Sequence, residues 1–162
     1  MRLLVVCLGN ICRSPMAEGA LRARLAEAGL GPRVEVDSAG TGDWHVGEPP
    51  DRRAIACARG HGVDIGGLRA RQLQAVDFRR FDWLLCADAQ NLLDVRRSAP
   101  DTAVADSALL LDWAGLQPGG AVPDPYTGGR EDFEQVWQLV DSAAQAVVTR
   151  LSQGGDSGII PT

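Results

Sequence analysis

"LLVVCLGNICRSPMAEGALRARLAEAG", residues 3–29, decides the fold. Residues 3–6 are uninterrupted aliphatics, the pattern of a strand buried on both faces. From Ser14 to about Ala28 the apolar spacing turns helical, with Pro15 in the first turn and Gly29 after the end. The intervening loop carries Cys7, Gly9, Asn10, Cys12 and Arg13. A strand feeding a helix through a short loop is the opening half of a βαβ unit.

The same alternation continues. "RVEVDSAG" (33–40) alternates apolar and polar as a second strand, and "EPPDRRAIACARGHG" (48–62) reads as a short helix between prolines and glycines. "FDWLLCAD" (81–88) is a third strand, followed by a helix starting near Asp88. A short fourth strand falls somewhere in residues 101–113. "QPGGAVPDPYTGGR" (117–130) is a Gly/Pro loop, and Phe133, Val136, Trp137, Val140 and Ala144 mark one face of a last long helix. The expectation is a single α/β domain over 1–152, with a small parallel sheet of about four strands flanked by helices and an anion-binding loop after the first strand. Residues 153–162 read as a mobile tail. Strand one ends at Cys7, strand two near Ser38 and strand three near Asp88, candidates for one shared rim at the carboxyl edge of the sheet.

Composition narrows the partners. The chain has 162 residues, a net charge of -5 and a pI near 4.9, which argues against nucleic acid or an anionic membrane as a partner. All of its Lys+Arg residues are Arg. The cysteines, Cys7, Cys12, Cys57 and Cys86, match no zinc spacing and form no disulfide framework. The six-residue apolar run at 3–8 is too short for a signal h-region or a membrane span. A cytoplasmic protein is expected, with export by a non-standard route left open.

Cys7 admits two readings. At the end of a buried strand it is an inert small hydrophobe. In a strand–loop–helix setting it sits in an anion cradle, because backbone N–H groups and the helix dipole converge there. Gly9 allows close backbone approach, Asn10 tolerates a left-handed turn, and Arg13 offers a planar fork to two oxygens of a tetrahedral anion. Such surroundings favour a thiolate, and Ser14 can hydrogen-bond it. The Cys-x5-Arg-Ser spacing favours the nucleophile.

"VCLGNICRSPMAE" (6–18) resembles the signature loop of the low-molecular-weight protein tyrosine phosphatases. "DSAGTGDWHVGEPPDRRA" (37–54), "RARQL" (69–73), "DFRRFDWLLCAD" (77–88) and "VPDPYTGG" (122–129) resemble later blocks of that family, in the same order, from about residue 2 to 151. The resemblance implies a metal-independent, cofactor-free phosphatase acting on phosphotyrosine in proteins and on small aryl phosphates. Cys7 would be the nucleophile forming a phosphocysteine. Arg13 and the loop N–H groups of Leu8, Gly9, Asn10, Ile11 and Cys12 would hold the phosphate oxygens. Asp124, which composition alone would place in a plain Asp-Pro turn, becomes the general acid and base.

Further roles follow from the same resemblance. Trp44, His45 and Tyr126 would wall the substrate pocket, with Thr127 where the family often carries a second aromatic. Ser38 and His61 would brace the phosphate loop through Asn10. Asp88 would be a strand-end acid near the pocket or, more plainly, the N-cap of its helix. Cys12 would be a passive loop residue or a reversible disulfide partner of Cys7. Arg69 and Arg71 read as surface residues, with contact to substrate as the alternative. The protein substrate could be a bacterial tyrosine kinase or a host protein. Two rivals stand beside the phosphatase. An arsenate reductase on the same fold needs two relay cysteines, but Leu93 stands seven residues after Cys86 and Cys57 lies on another helix. A non-catalytic phosphate-binding module would have no use for Cys7, Arg13 and Asp124 together.

Overall fold

A computed structural model of the chain describes residues 1–153. Strand β1 spans Arg2–Cys7, helix α1 Arg13–Glu27, β2 Glu35–Gly40 and α2 Arg52–Gly60. Then come α3 (Asp77–Arg80), β3 (Trp83–Cys86), α4 (Ala89–Ser98), β4 (Asp106–Leu109), α5 (Leu110–Trp113) and α6 (Arg130–Gln153). The four strands form one parallel sheet in the order β2-β1-β3-β4. Chain order reverses direction at β1, so the topological switch point lies between β1 and β3, at the loop after β1. The sheet register pairs Cys7 with Gly40, Val6 with Cys86 and Cys86 with Leu109, which levels the carboxyl ends along one rim.

Side-chain alternation along β1 splits the core in two. Leu3, Val5 and Cys7 face the layer of α1, α2, α5 and α6, and Leu4 and Val6 face Phe78, Phe81, Leu84, Cys86 and Val95 on the other side. Cys7 therefore emerges on the face where α1 begins. On that layer α6 buries Phe133, Val136, Trp137, Val140, Ala144, Val147 and Leu151. The large members of this stripe each contribute about 1.5–3 kcal/mol by leaving water. Arg24 of α1 fixes the α1–α6 contact through two bonds to the Asp141 carboxylate, at 2.8 and 2.9 Å.

Local chemistry ends α1 where the sequence suggests. Gly29 adopts φ +73°, its N–H reaches Ala26 O, and Leu30 N–H reaches Leu25 O. That is a Schellman cap closed by the Leu25–Leu30 apolar contact. The tail expectation needs one correction: Gln153 closes α6 rather than opening a tail, and 154–162 lie outside the described residues. No helix among the described residues is long and apolar enough to cross a membrane.

Candidate active site

The loop after β1 closes around the Cys7 sulfur. Asn10 takes φ +57°, and its backbone N–H donates to Cys7 Sγ at 3.3 Å. Ser14, in the first turn of α1, brings its Oγ to 3.0 Å from the same sulfur. Cys7 is only 3% exposed.

A buried hydrogen-bond chain leads up to that contact. Arg71 N–H donates to Asn10 Oδ1 at 3.0 Å, which fixes which end of the amide is oxygen. Asn10 Nδ2 then donates to Ser14 Oγ at 2.8 Å and to Ser38 Oγ at 3.0 Å. Ser38 Oγ in turn donates to Glu18 Oε1 at 2.7 Å. Ser14 Oγ, already accepting from Asn10, has its hydroxyl proton available for Cys7 Sγ. Burial pushes the Glu18 carboxyl up, opposed by the Ser38 hydrogen bond and the Arg22 guanidinium.

Gly40 is what allows β2 to lie against this loop. A Cβ there would stand 2.7 Å from Leu8 O, a backbone clash with no flexible partner to yield. Thr41 N–H and Gly42 N–H donate to Cys7 O and Leu8 O, tying the following loop to the cradle.

Arg13 is the buried cation of the site, 5% exposed. Its Nη1 donates to Asp88 Oδ2 at 2.6 Å and to Val122 O at 3.1 Å. Its Nη2 lies 3.8 Å from Asp124 Oδ2, an ion pair rather than a hydrogen bond. Asp88 Oδ1 accepts from Asn91 N–H as the cap of α4, while Oδ2 holds Arg13.

The Asp124 loop is stapled at two points. Val122 N–H donates to Ala87 O just beyond β3, and Arg53 donates to Tyr126 O at 2.9 Å and Gly128 O at 3.1 Å. Arg53 also pairs with Asp51, the cap of α2, and its hydrogen bond holds the Asp51 carboxyl below the usual range. Asp124 Oδ1 accepts from Tyr126 N–H, an Asx turn that leaves Oδ2 toward Arg13.

These groups line a cavity of about 200 Å³. Cys7, Cys12 and Arg13 are its buried members; Trp44 (68% exposed), Tyr126 (51%), His45 and Asp124 form its open rim. His45 packs over Gly9 and pairs with Glu48. Burial and the nearby Asp51, Cys7 and Asp124 push the Cys12 thiol up to about 12.

Two sequence assignments change. His61 is not a partner of Asn10: its Nε2 pairs with Glu134 at 2.8 Å and its ring stacks on Trp137. Arg71, read as a surface residue, takes the bracing role through its backbone N–H, and its half-buried guanidinium pairs with Asp77 and Asp37. Glu18, Arg53 and the Val122 carbonyl were not singled out. Of these only Glu18 left a signal, an acid one turn after Ser14 on the stripe that continues to Leu21 and Leu25.

Comparison with known proteins agrees with this geometry. The family model described as "Low molecular weight phosphotyrosine protein phosphatase" matches residues 2–156. A low molecular weight protein-tyrosine-phosphatase of Streptomyces coelicolor is 44% identical over 155 residues, covering 94% of each chain. The human low molecular weight phosphotyrosine protein phosphatase is 39% identical over 136 residues, 83% of this chain and 85% of that one. Crystalline YfkJ of Bacillus subtilis superposes with a TM-score of 0.86 at 35% identity, covering 96% of this chain and 97% of that chain. A cysteine cradle at the β1 switch point and matches spanning nearly the whole length leave one assignment: the chain belongs to the low molecular weight phosphotyrosine protein phosphatase family.

Proposed function

We propose that the chain hydrolyses phosphotyrosine in proteins, and small aryl phosphates, in two displacements at Cys7. In the first, Cys7 Sγ attacks phosphorus in line and the P–O bond to the aryl group breaks. Asp124 gives its proton to the departing oxygen, leaving a phosphocysteine. In the second, the Asp124 carboxylate takes a proton from water, the water oxygen bonds to phosphorus, and the S–P bond breaks to release phosphate. Ser14 stabilises the departing sulfur with its hydroxyl proton.

Arg13 serves both steps. Asp88 and Val122 O occupy both protons of Nη1, so its Nε–Nη2 edge is the fork offered to the equatorial oxygens, together with the N–H groups of residues 8–13. Trp44 and Tyr126 at the rim suit an aryl ester whose ring extends out of the cavity. With Thr127 following Tyr126, one aromatic serves that side. The substrate is a tyrosine-phosphorylated protein, a bacterial tyrosine kinase or a host protein being the two candidates.

The observation that carries this reading is the sulfur of Cys7 accepting from Asn10 N–H and lying 3.0 Å from Ser14 Oγ, in the cavity that Arg13 and Asp124 share. The rival arsenate relay is disfavoured by placement: Cys86 packs on the opposite face of the sheet from Cys7, and Cys57 bonds Glu134. Replacing Cys7 by Ser tests the reading. Turnover of p-nitrophenyl phosphate and of a phosphotyrosine peptide should fall at least about 10³-fold with the fold retained. Turnover within a few-fold of the parent would overturn it, and faster release from a phosphoserine peptide than from a phosphotyrosine peptide would overturn the substrate class.

A further inference from the structure

We propose that Cys57, His61 and Glu134 form a binding site for one divalent ion of the zinc class, separate from the phosphate cavity. Cys57 and His61 stand four residues apart at the end of α2 and present to one side of it, the spacing at which two ligands of a helix converge. Glu134 reaches across from α6: its Oε1 lies 3.4 Å from Cys57 Sγ and its Oε2 2.8 Å from His61 Nε2. One donor atom from each of the three lies within 4.8 Å of the other two.

Bond lengths of roughly 2.0–2.3 Å to N, O and S require donor separations of about 3.3–3.8 Å around a tetrahedral ion. The two contacts to Glu134 lie near or below that range, and the third separation, within 4.8 Å, must close by up to about 1 Å through side-chain rotation. The donor set is thiolate, imidazole and carboxylate, a borderline-soft combination suited to zinc or cobalt rather than to magnesium or calcium. The His61 ring is held by stacking on Trp137, with centroids 5.2 Å apart and planes 12° apart. That restraint fixes the ring before an ion arrives. His61 and Glu134 are partly exposed, which gives an ion a path in and lets water take a fourth position. Arg130, one turn before Glu134 on α6, acts electrostatically on both Cys57 and Glu134 and opposes a cation there. On binding, the Cys57 thiol proton and any His61 proton leave to solvent, and the ion joins α2 to α6.

The test is a Co²⁺ titration of the full chain in a Cys7→Ser, Cys12→Ser background, which removes the thiols of the phosphate cavity. The expected result is one ion per chain, with a thiolate-to-cobalt charge-transfer band and visible absorption of four-coordinate strength. Zn²⁺ should displace the cobalt and raise the thermal midpoint. Adding Cys57→Ser should abolish the charge-transfer band. Adding His61→Gln or Glu134→Gln should weaken binding at least about tenfold. Absence of a thiolate band, a band that survives Cys57→Ser, or binding unchanged by His61→Gln would overturn the site. Circular dichroism of each apo variant separates loss of a ligand from loss of the fold.

Discussion

Asn10 Nδ2 donates to Ser14 Oγ at 2.8 Å, and the Ser14 hydroxyl proton is then free to turn toward Cys7 Sγ, 3.0 Å away. One side chain thus holds the partner of the Cys7 sulfur while its own backbone, at φ +57°, shapes the loop. Asn10→Ala removes the amide, strains a backbone held at φ +57° and leaves the Arg71 N–H without its acceptor. We expect kcat to fall about tenfold or more, and stability to fall by about 1–3 kcal/mol from unpaired buried groups. Steady-state kinetics and urea unfolding measure the two losses. A variant with parent kcat would show that Ser14 needs no such orientation.

Arg13 is held from behind by Asp88 and Val122 O, which leaves a planar edge for phosphate. Lysine keeps the charge but not the fork. Arg13→Lys should lower kcat about 10²–10³-fold and weaken inhibition by vanadate. A loss below about fivefold would mean that charge alone suffices.

If Asp124 protonates the leaving oxygen, its value depends on how badly that oxygen needs a proton. Asp124→Asn should slow phenyl phosphate by about 10²–10⁴-fold and p-nitrophenyl phosphate much less. Equal losses for both substrates would exclude the acid role.

Cys12 lines the cavity with Cys7, and its thiol is pushed up to about 12 by burial and neighbouring acids. After mild peroxide converts Cys7 to the sulfenic acid, attack by the Cys12 thiolate would form the S–S bond and expel hydroxide, which takes a proton from solvent to leave as water. Well below pH 12 the thiolate fraction grows about tenfold per pH unit, so closure should speed up steeply with pH. Mass spectrometry of peroxide-treated protein should find the Cys7–Cys12 linkage, and Cys12→Ser should shift the product to Cys7 sulfinic acid. No linkage at any pH would leave Cys12 a passive loop residue.

The Arg24–Asp141 pair joins α1 to α6, and the Arg24 hydrogen bond holds the Asp141 carboxyl below its usual range. A depressed carboxyl stabilises the fold above its unfolded value, near ~3.9, and that share is lost as pH falls through the folded value. Asp141→Asn should therefore cost about 1–2 kcal/mol at pH 7, with the gap to the parent closing below about pH 4. Denaturant midpoints across pH check this; a gap that persists in acid would assign the cost to packing.

Legibility in the sequence followed contact distance along the chain. Cys7, Arg13 and Ser14 could be read because five to seven residues of strand, loop and helix place them together. The four-strand parallel sheet followed from alternation of strand and helix patterns. Asp124 was visible only through family resemblance, since Asp-Pro in a glycine-rich loop otherwise reads as a turn. His61 was misassigned because a lone histidine carries no address; the face of α2 on which it sits points it to Glu134 and Trp137. Arg71 was misread because its bracing group is a backbone N–H, which no side-chain identity announces.

By itself the sequence determined the cradle: a buried strand, a loop with Gly9 and Asn10, and a helix start carrying Arg13 and Ser14. Those relations are local, and backbone geometry closes them within two turns of chain. Tertiary structure alone decided what surrounds the cradle. Parallel pairing levels Cys7, Gly40 and Cys86 at one rim. That brings Ser38, Arg71, Asp88, Val122 and Asp124 to the loop from 28 to more than 100 residues away. Such bonds exist only once burial of both sheet faces has fixed the strand register, because sequence spacing encodes side-chain type and period but not the partner across the sheet.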